Sequence, residues 1–258
     1  PFLLIIASFF LSILSFSQAG SLDPTFGSGG KIVTNFFDTF SSSGVEGTAV
    51  QSDGKIAAVG SLPNGSGIYR FNRDGSPDNE FGDSGLIFIY SLNVNCLAIQ
   101  SDGKFVVAGT IKTEVGGSTI KIARYNSDGR LDSSFNGEWK IIPQVGLSFF
   151  AYSIAIQTDG KIVVAGDRAS GLFPPYHDFL VARYNADGSL DNNFGEDGVV
   201  FTDFGSILDY GKSVAVQADG KIVVAGGGSV TPYIFTGPSA GSHFAMVRYN
   251  PDGSLDSS

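Results

Sequence analysis

The sequence predicts an all-β protein assembled from repeated four-stranded sheets, and three observations carry that prediction. A charged turn motif recurs four times, a hairpin motif alternates with it, and the composition favours strands joined by tight turns. Of 258 residues, 35 are glycine and 22 phenylalanine, while lysine and arginine together number only 16. Abundant glycine with many aromatics and few long helix formers is the composition of short strands and turns. The length suffices to bury a sizeable core. The net charge of −9 argues against a nucleic-acid partner, which would require clustered cations.

The chain opens on "PFLLIIASFFLSILSFSQAGS", in which residues 2–16 are apolar apart from three serines. The run ends in small residues and reads as a secretory signal peptide over 1–19, cleaved after Ala19. It is short for a spanning helix, which needs about 20 apolar residues, and no membrane span is expected in the mature chain. The start at Pro1, without methionine or a basic segment, leads us to expect further sequence upstream. The single cysteine, Cys96 in "NVNCLAIQ", allows no internal disulfide. It lies in an apolar, strand-like run and is expected to be a buried, inert thiol.

Residues 20–258 form the repeat domain. "RFNRDGSPDNEFG" begins at Arg70, "RYNSDGRLDSSFN" at Arg124, "RYNADGSLDNNFG" at Arg183 and "RYNPDGSLDSS" at Arg248, in steps of 54, 59 and 65 residues. "GSLDPTFGSGGK" at Gly20–Lys31 matches the second half of the same unit. Between these copies stand "QSDGKIAAVG", "QSDGKFVVAG", "QTDGKIVVAG" and "QADGKIVVAG", beginning at Gln51, Gln100, Gln157 and Gln217. Repetition at this period signals a solenoid, propeller or array. Within one unit, "SVAVQADGKIVVAG" is two apolar runs joined by Asp219-Gly220, which suggests a type I′ hairpin. "FLVARYN" supplies a third strand and "GVVFTDF" a fourth. Four antiparallel strands in about 55 residues are the content of one propeller blade. The continuously apolar "KIVVAG" suits a strand buried on both faces. We therefore expect a β-propeller with four full repeats and partial ones: 20–70, 71–124, 125–183, 184–248 and 249–258. The start and stop in mid-unit lead us to expect a segment of a larger propeller.

The combination of Q-x-D-G-K-[IF]-x-x-x-G with R-[YF]-N-x-D-G-x-x-D-x-x-F resembles the delta-60 repeat family, bacterial β-propeller repeats of unknown function. The resemblance covers residues 20–258. Its departures are Pro77 for Leu, Asn136 for Gly, and Ala57-Ala58 in the first hairpin. It implies an exported propeller and no transferable activity.

In "ARYNADGSLDNNFG" the spacing of Asn185, Asp187 and Asp191 partly matches a calcium loop. The first carboxylate and the distal glutamate of such a loop are absent, so no metal ligand is assigned, although calcium remains an alternative. The favoured reading is an Asx-type turn with glycine supplying positive φ. The second Asp is then free to pair with the recurring Arg, as in Arg183 and Asp191. The lysines after each hairpin glycine (Lys55, Lys104, Lys161 and Lys221) form either a solvated tip or an anion site. The recurring Phe26, Phe81, Phe135 and Phe194 are expected to pack between blades.

The units differ most in one insert, "SLPNGSG", "TIKTEVGGST", "DRASGLFPPYHD" and "GGSVTPYIFTGPSAGSH". Its fixed topological position places all four on one face, where repeat scaffolds bind ligands. Phe173, Tyr176, His177, Tyr233, Phe235 and His243 are the candidate binding residues, suited to sugar rings or a protein partner. The expected function is a non-catalytic, secreted or surface-displayed scaffold that binds protein or glycan. The alternative is a calcium-dependent hydrolase or lyase of propeller type. Such an enzyme needs polar residues on its innermost strands, whereas the recurring runs are apolar. Asp167, Arg168 and Asp178 are non-repeating charges that match no known catalytic constellation.

Overall fold

The computed structural model describes residues 20–34, 44–62, 65–90, 92–114, 116–135, 140–141, 148–169, 176–229 and 242–258. The predicted signal peptide lies outside the described residues. Among those residues the only regular secondary structure is strand. Strands β1 (Gly44–Val50), β2 (Ile56–Leu62), β3 (Gly65–Phe71) and β4 (Leu86–Tyr90) form an antiparallel meander. The second blade is β5 (Asn93–Ile99), β6 (Phe105–Lys112), β7 (Ser118–Tyr125) and β8 (Lys140–Ile141). The third is β9 (Ser148–Ile156), β10 (Ile162–Ala169), β11 (His177–Tyr184) and β12 (Val199–Thr202). Strands β13 (Leu208–Val216), β14 (Ile222–Ser229) and β15 (Ser242–Tyr249) begin a fourth. The sheets are thus phased later than the sequence units, because the last strand of each blade follows the Arg-to-Phe turn. Single parallel bridges, Ser118 to Ser148 and His177 to Leu208, join the later blades edge to edge.

The first strands β1, β5, β9 and β13 pack side by side and make the inner row. This corrects one inference drawn from the repeat. The recurring apolar runs are the second strands, while the inner row is built from the non-recurring segments before each Q-x-D-G-K. Each first strand slips by one residue against its second strand at the same place. The extra residues are Glu46, Asn95, Tyr152 and Lys212. A bulge redirects a side chain without breaking the sheet, so four non-repeating polar residues share one register position on the inner row.

Blades pack face to face through three apolar layers. Val59 and Ile68 of the first blade meet Val94, Leu97 and Phe105 of the second. Ile120 and Ile122 meet Phe149, Ala151 and Ile154, and Phe179 and Val181 meet Val214 and Val224. Being covered on both faces is why the second strands read as unbroken apolar runs.

The hairpin tip is not the type I′ turn expected from Asp-Gly. Only the glycine takes positive φ, +85° at Gly54 and +84° at Gly220. Gly54 N–H donates to Gln51 O at 2.9 Å and Gln51 N–H to Lys55 O at 2.8 Å. This is a longer loop, a type I turn closed by a left-handed residue. The Asp carboxylate supports it by accepting the Lys N–H, at 3.0 Å for Asp53 and 3.1 Å for Asp219.

Candidate functional site

The repeated charges form one device in every blade. Arg70 Nε donates to Asp78 at 2.6 Å, Arg124 to Asp132 at 2.8 Å, Arg183 to Asp191 at 2.8 Å and Arg248 to Asp256 at 2.5 Å. The hairpin lysine completes each pair: Lys55, Lys104, Lys161 and Lys221 lie 2.8 to 3.0 Å from the same carboxylates. The lysines are therefore internal counter-ions rather than a ring awaiting an anion. The arginine also ties blades together. Its second nitrogen donates to the turn carbonyl of the next blade, Ser127 from Arg70, Ala186 from Arg124 and Pro251 from Arg183. Its guanidinium lies over the recurring Phe, 4.2 Å from the Phe81 centroid and 4.5 Å from those of Phe135 and Phe194. Phe81, Phe135 and Phe194 fill the interblade layers, as expected.

The Asn-x-Asp-Gly turn spends its own polar groups internally. Asp187 Oδ1 accepts from Ser189 N–H at 2.8 Å and from Ser189 Oγ, while Asn185 Nδ2 donates to Ser189 Oγ at 2.9 Å. Asp191 is tied to Arg183 and Lys161. Among the described residues no group of three or more His, Cys, Asp or Glu could hold a metal ion. Cys96 is buried with Sγ against Ala108 O at 3.7 Å, and burial pushes its thiol up to about 12.

Of the six loop residues singled out from the sequence, Phe173, Tyr233 and Phe235 lie outside the described residues. Tyr176 is half exposed. His177 and His243, the chain's two histidines, stand in neighbouring blades, each near a buried aspartate that the repeat does not supply elsewhere. Asp167 occupies the register position held by Ser61, Thr110 and Gly227 in the other blades. It is fully buried, its Oδ2 lies 2.6 Å from His177 Nδ1, and its Oδ1 has no protein partner. The His177 ring tilts against Tyr210 of the next blade, with centroids 5.0 Å apart. The bulge residue Lys212 places its ammonium 3.3 Å from the Tyr152 centroid and 5.0 Å from that of Tyr210. Desolvation lowers the Lys212 pKa and the Asp167 charge opposes the shift.

The second histidine site is shallower. His243 Nε2 and Ser206 Oγ share a hydrogen bond at 3.1 Å. Asp209 is fully buried, takes Phe204 N–H at 2.9 Å on Oδ2, and leaves Oδ1 unpartnered. A Cβ at Gly228 would meet both Asp209 Oδ1 and His243 Nε2, so glycine here leaves room for the two side chains as they stand. Asp178, named above with Asp167, pairs with Arg168 at 3.1 Å, and Arg168 covers Phe201. Sequence reasoning missed Tyr152, Asp209, Tyr210 and Lys212. The available signal was the polarity of "LDYGKSVAV" where other first strands are more apolar.

The chain matches the model of a domain of unknown function, the DUF5122 β-propeller, at residues 51–81, 100–135, 157–194 and 217–258. It belongs to that family, and it is a β-propeller repeat protein. No curated protein matches it. Among solved structures it is similar to a glucose dehydrogenase, at 14% identity and a TM-score of 0.44, covering 72% of this chain and 57% of that one. It is also similar to a GH93 α-L-arabinofuranosidase of Fusarium graminearum, solved with arabinobiose, at 10% identity and a TM-score of 0.49, covering 82% and 64%. A protein of unknown function from Dyadobacter fermentans is similar at 12% identity and a TM-score of 0.42, covering 70% and 56%. The chain spans less than two thirds of the length of each.

Proposed function

We propose that this propeller is an exported, non-catalytic scaffold that binds a glycan or a protein through the insert-bearing end of its third and fourth blades. One observation carries the reading. The charged residues that repeat are consumed in holding blades together, whereas the polar residues that break the repeat gather around His177 and His243. A function confined to one place on a repeat array is expected to break the symmetry there. The apolar run over residues 2–16 supports export.

The test is a glycan array and an extracellular-protein array probed with wild-type protein and with Tyr176→Ala. Wild type should label a restricted set of ligands, and Tyr176→Ala should weaken that labelling about tenfold, the worth of one aromatic contact. Turnover of chromogenic glycosides that Asp167→Asn abolishes would replace the scaffold reading with an enzyme.

A further inference from the structure

At the inner junction of the third and fourth blades, the geometry points to a binding site for a carboxylate-bearing sugar, a hexuronic acid, with Lys212 as its cation, Tyr152 and Tyr210 as its walls and His177 at its edge. The inference rests on the glycan half of the proposed function and names the sugar class.

The argument begins with the bulge. Glu46, Asn95, Tyr152 and Lys212 hold the same register position on successive first strands. Asn95 is used structurally, its Nδ2 donating to Ala151 O at 2.7 Å. Lys212 is the cation of the four, and it sits against the faces of Tyr152 and Tyr210. The ammonium itself covers the Tyr152 face, so the sugar's carboxylate would draw Lys212 off the ring and the vacated face would take the apolar face of the pyranose.

Charge is the second element. Each repeated cation described above has a carboxylate within 3.0 Å. Among the described residues no carboxylate lies within ion-pair distance of Lys212, and the one acting on it, Asp167, already holds His177. A partly desolvated ammonium without a direct counter-ion gains on meeting one, because charge-assisted hydrogen bonds are about twice as strong as neutral ones. The sugar's carboxylate supplies that counter-ion.

The third element is polarity. Asp167 accepts Nδ1–H of His177, which leaves Nε2 to accept a sugar hydroxyl. Asp167 Oδ1 is buried without a protein partner. Buried acceptors are rarely left unmet, and a water reached through the sugar's hydroxyls would complete this one. At the same level of the first two blades stand Ser61 and Thr110, so the constellation occurs once among the blades described.

Calorimetry with D-glucuronate, D-glucose and acetate tests the site. Glucose lacks the carboxylate, and acetate lacks the ring. Wild type should bind glucuronate at least about tenfold more tightly than either, the worth of one charged hydrogen bond. Lys212→Met should lower glucuronate affinity to the glucose level without moving the melting temperature, and Lys212→Gln guards against a packing artefact. Equal glucuronate affinity in wild type and both variants would overturn the site, as would glucose or acetate matching glucuronate. Absence of glucuronate binding with array labelling intact would overturn this site alone. A blank array would also remove the scaffold reading.

Discussion

Asp78, Asp132, Asp191 and Asp256 each accept an arginine and a lysine, and the pKa of every one is lowered. For Asp132 the Lys104 hydrogen bond is the largest cause, and for Asp256 that of Lys221. For Asp78 and Asp191 burial raises the pKa most strongly of any single cause, and the lysine, backbone and arginine contacts together outweigh it. A carboxylate whose folded pKa lies below its unfolded value of about 4 stabilises the fold above that value, and the stabilisation fades as pH falls towards the folded pKa. We therefore expect the urea midpoint to fall progressively as pH drops from about 5 to about 2, most steeply below about pH 4. Urea titrations across that window check this, and a flat profile would show that the pairs do not stabilise the fold. The Arg-to-Asp partner was legible because the two are 8 residues apart on one turn. The lysine partner was not, because 23 to 35 residues separate Lys55 from Asp78 and Lys221 from Asp256. Asp167 and His177 were each visible as departures from the repeat. Their pairing depends on a β10–β11 register that the intervening insert hides.

Among the elements, the recurring turn shows why its glycine is required. Gly188 has φ +87°, and a Cβ there would stand 2.8 Å from Phe135 of the preceding blade. Gly116 has a similar φ, +82°, with nothing within 4 Å. Both replacements by alanine cost backbone strain, of order 1 kcal/mol. Only Gly188→Ala also disturbs an interblade ring, so it should be the more destabilising by about 1–3 kcal/mol. Comparing the two melting curves decides the point, and equal losses would mean that the turn does not bear on Phe135. Strand content, blade composition and the role of the recurring Phe were readable from periodicity. The hairpin type was misread because Asp-Gly marks a turn without setting its length, which follows from the pairing of Gln with Lys. The inner strand was misread because repetition draws attention to the strands buried on both faces, while the row beside the axis is free to vary.

Across the whole molecule one junction is used three times. Ile68, Ile122 and Val181 are buried against the following blade, and Leu97, Ile154 and Val214 face back against the preceding one. Met246 and Phe244 hold the same forward positions on the fourth blade, and Val45 and Val50 hold backward positions on the first. Their exposures are 56%, 73%, 65% and 69%. The same two apolar rows thus recur on all four blades, and the interchangeable-blade account holds that each interior junction contributes alike. Urea unfolding of Ile68→Ala, Ile122→Ala and Val181→Ala tests it most directly, because each removes a fully buried side chain from one junction. The account predicts that all three lower stability, by about 2–4 kcal/mol each. A loss confined to one junction, or no loss at any, would contradict it.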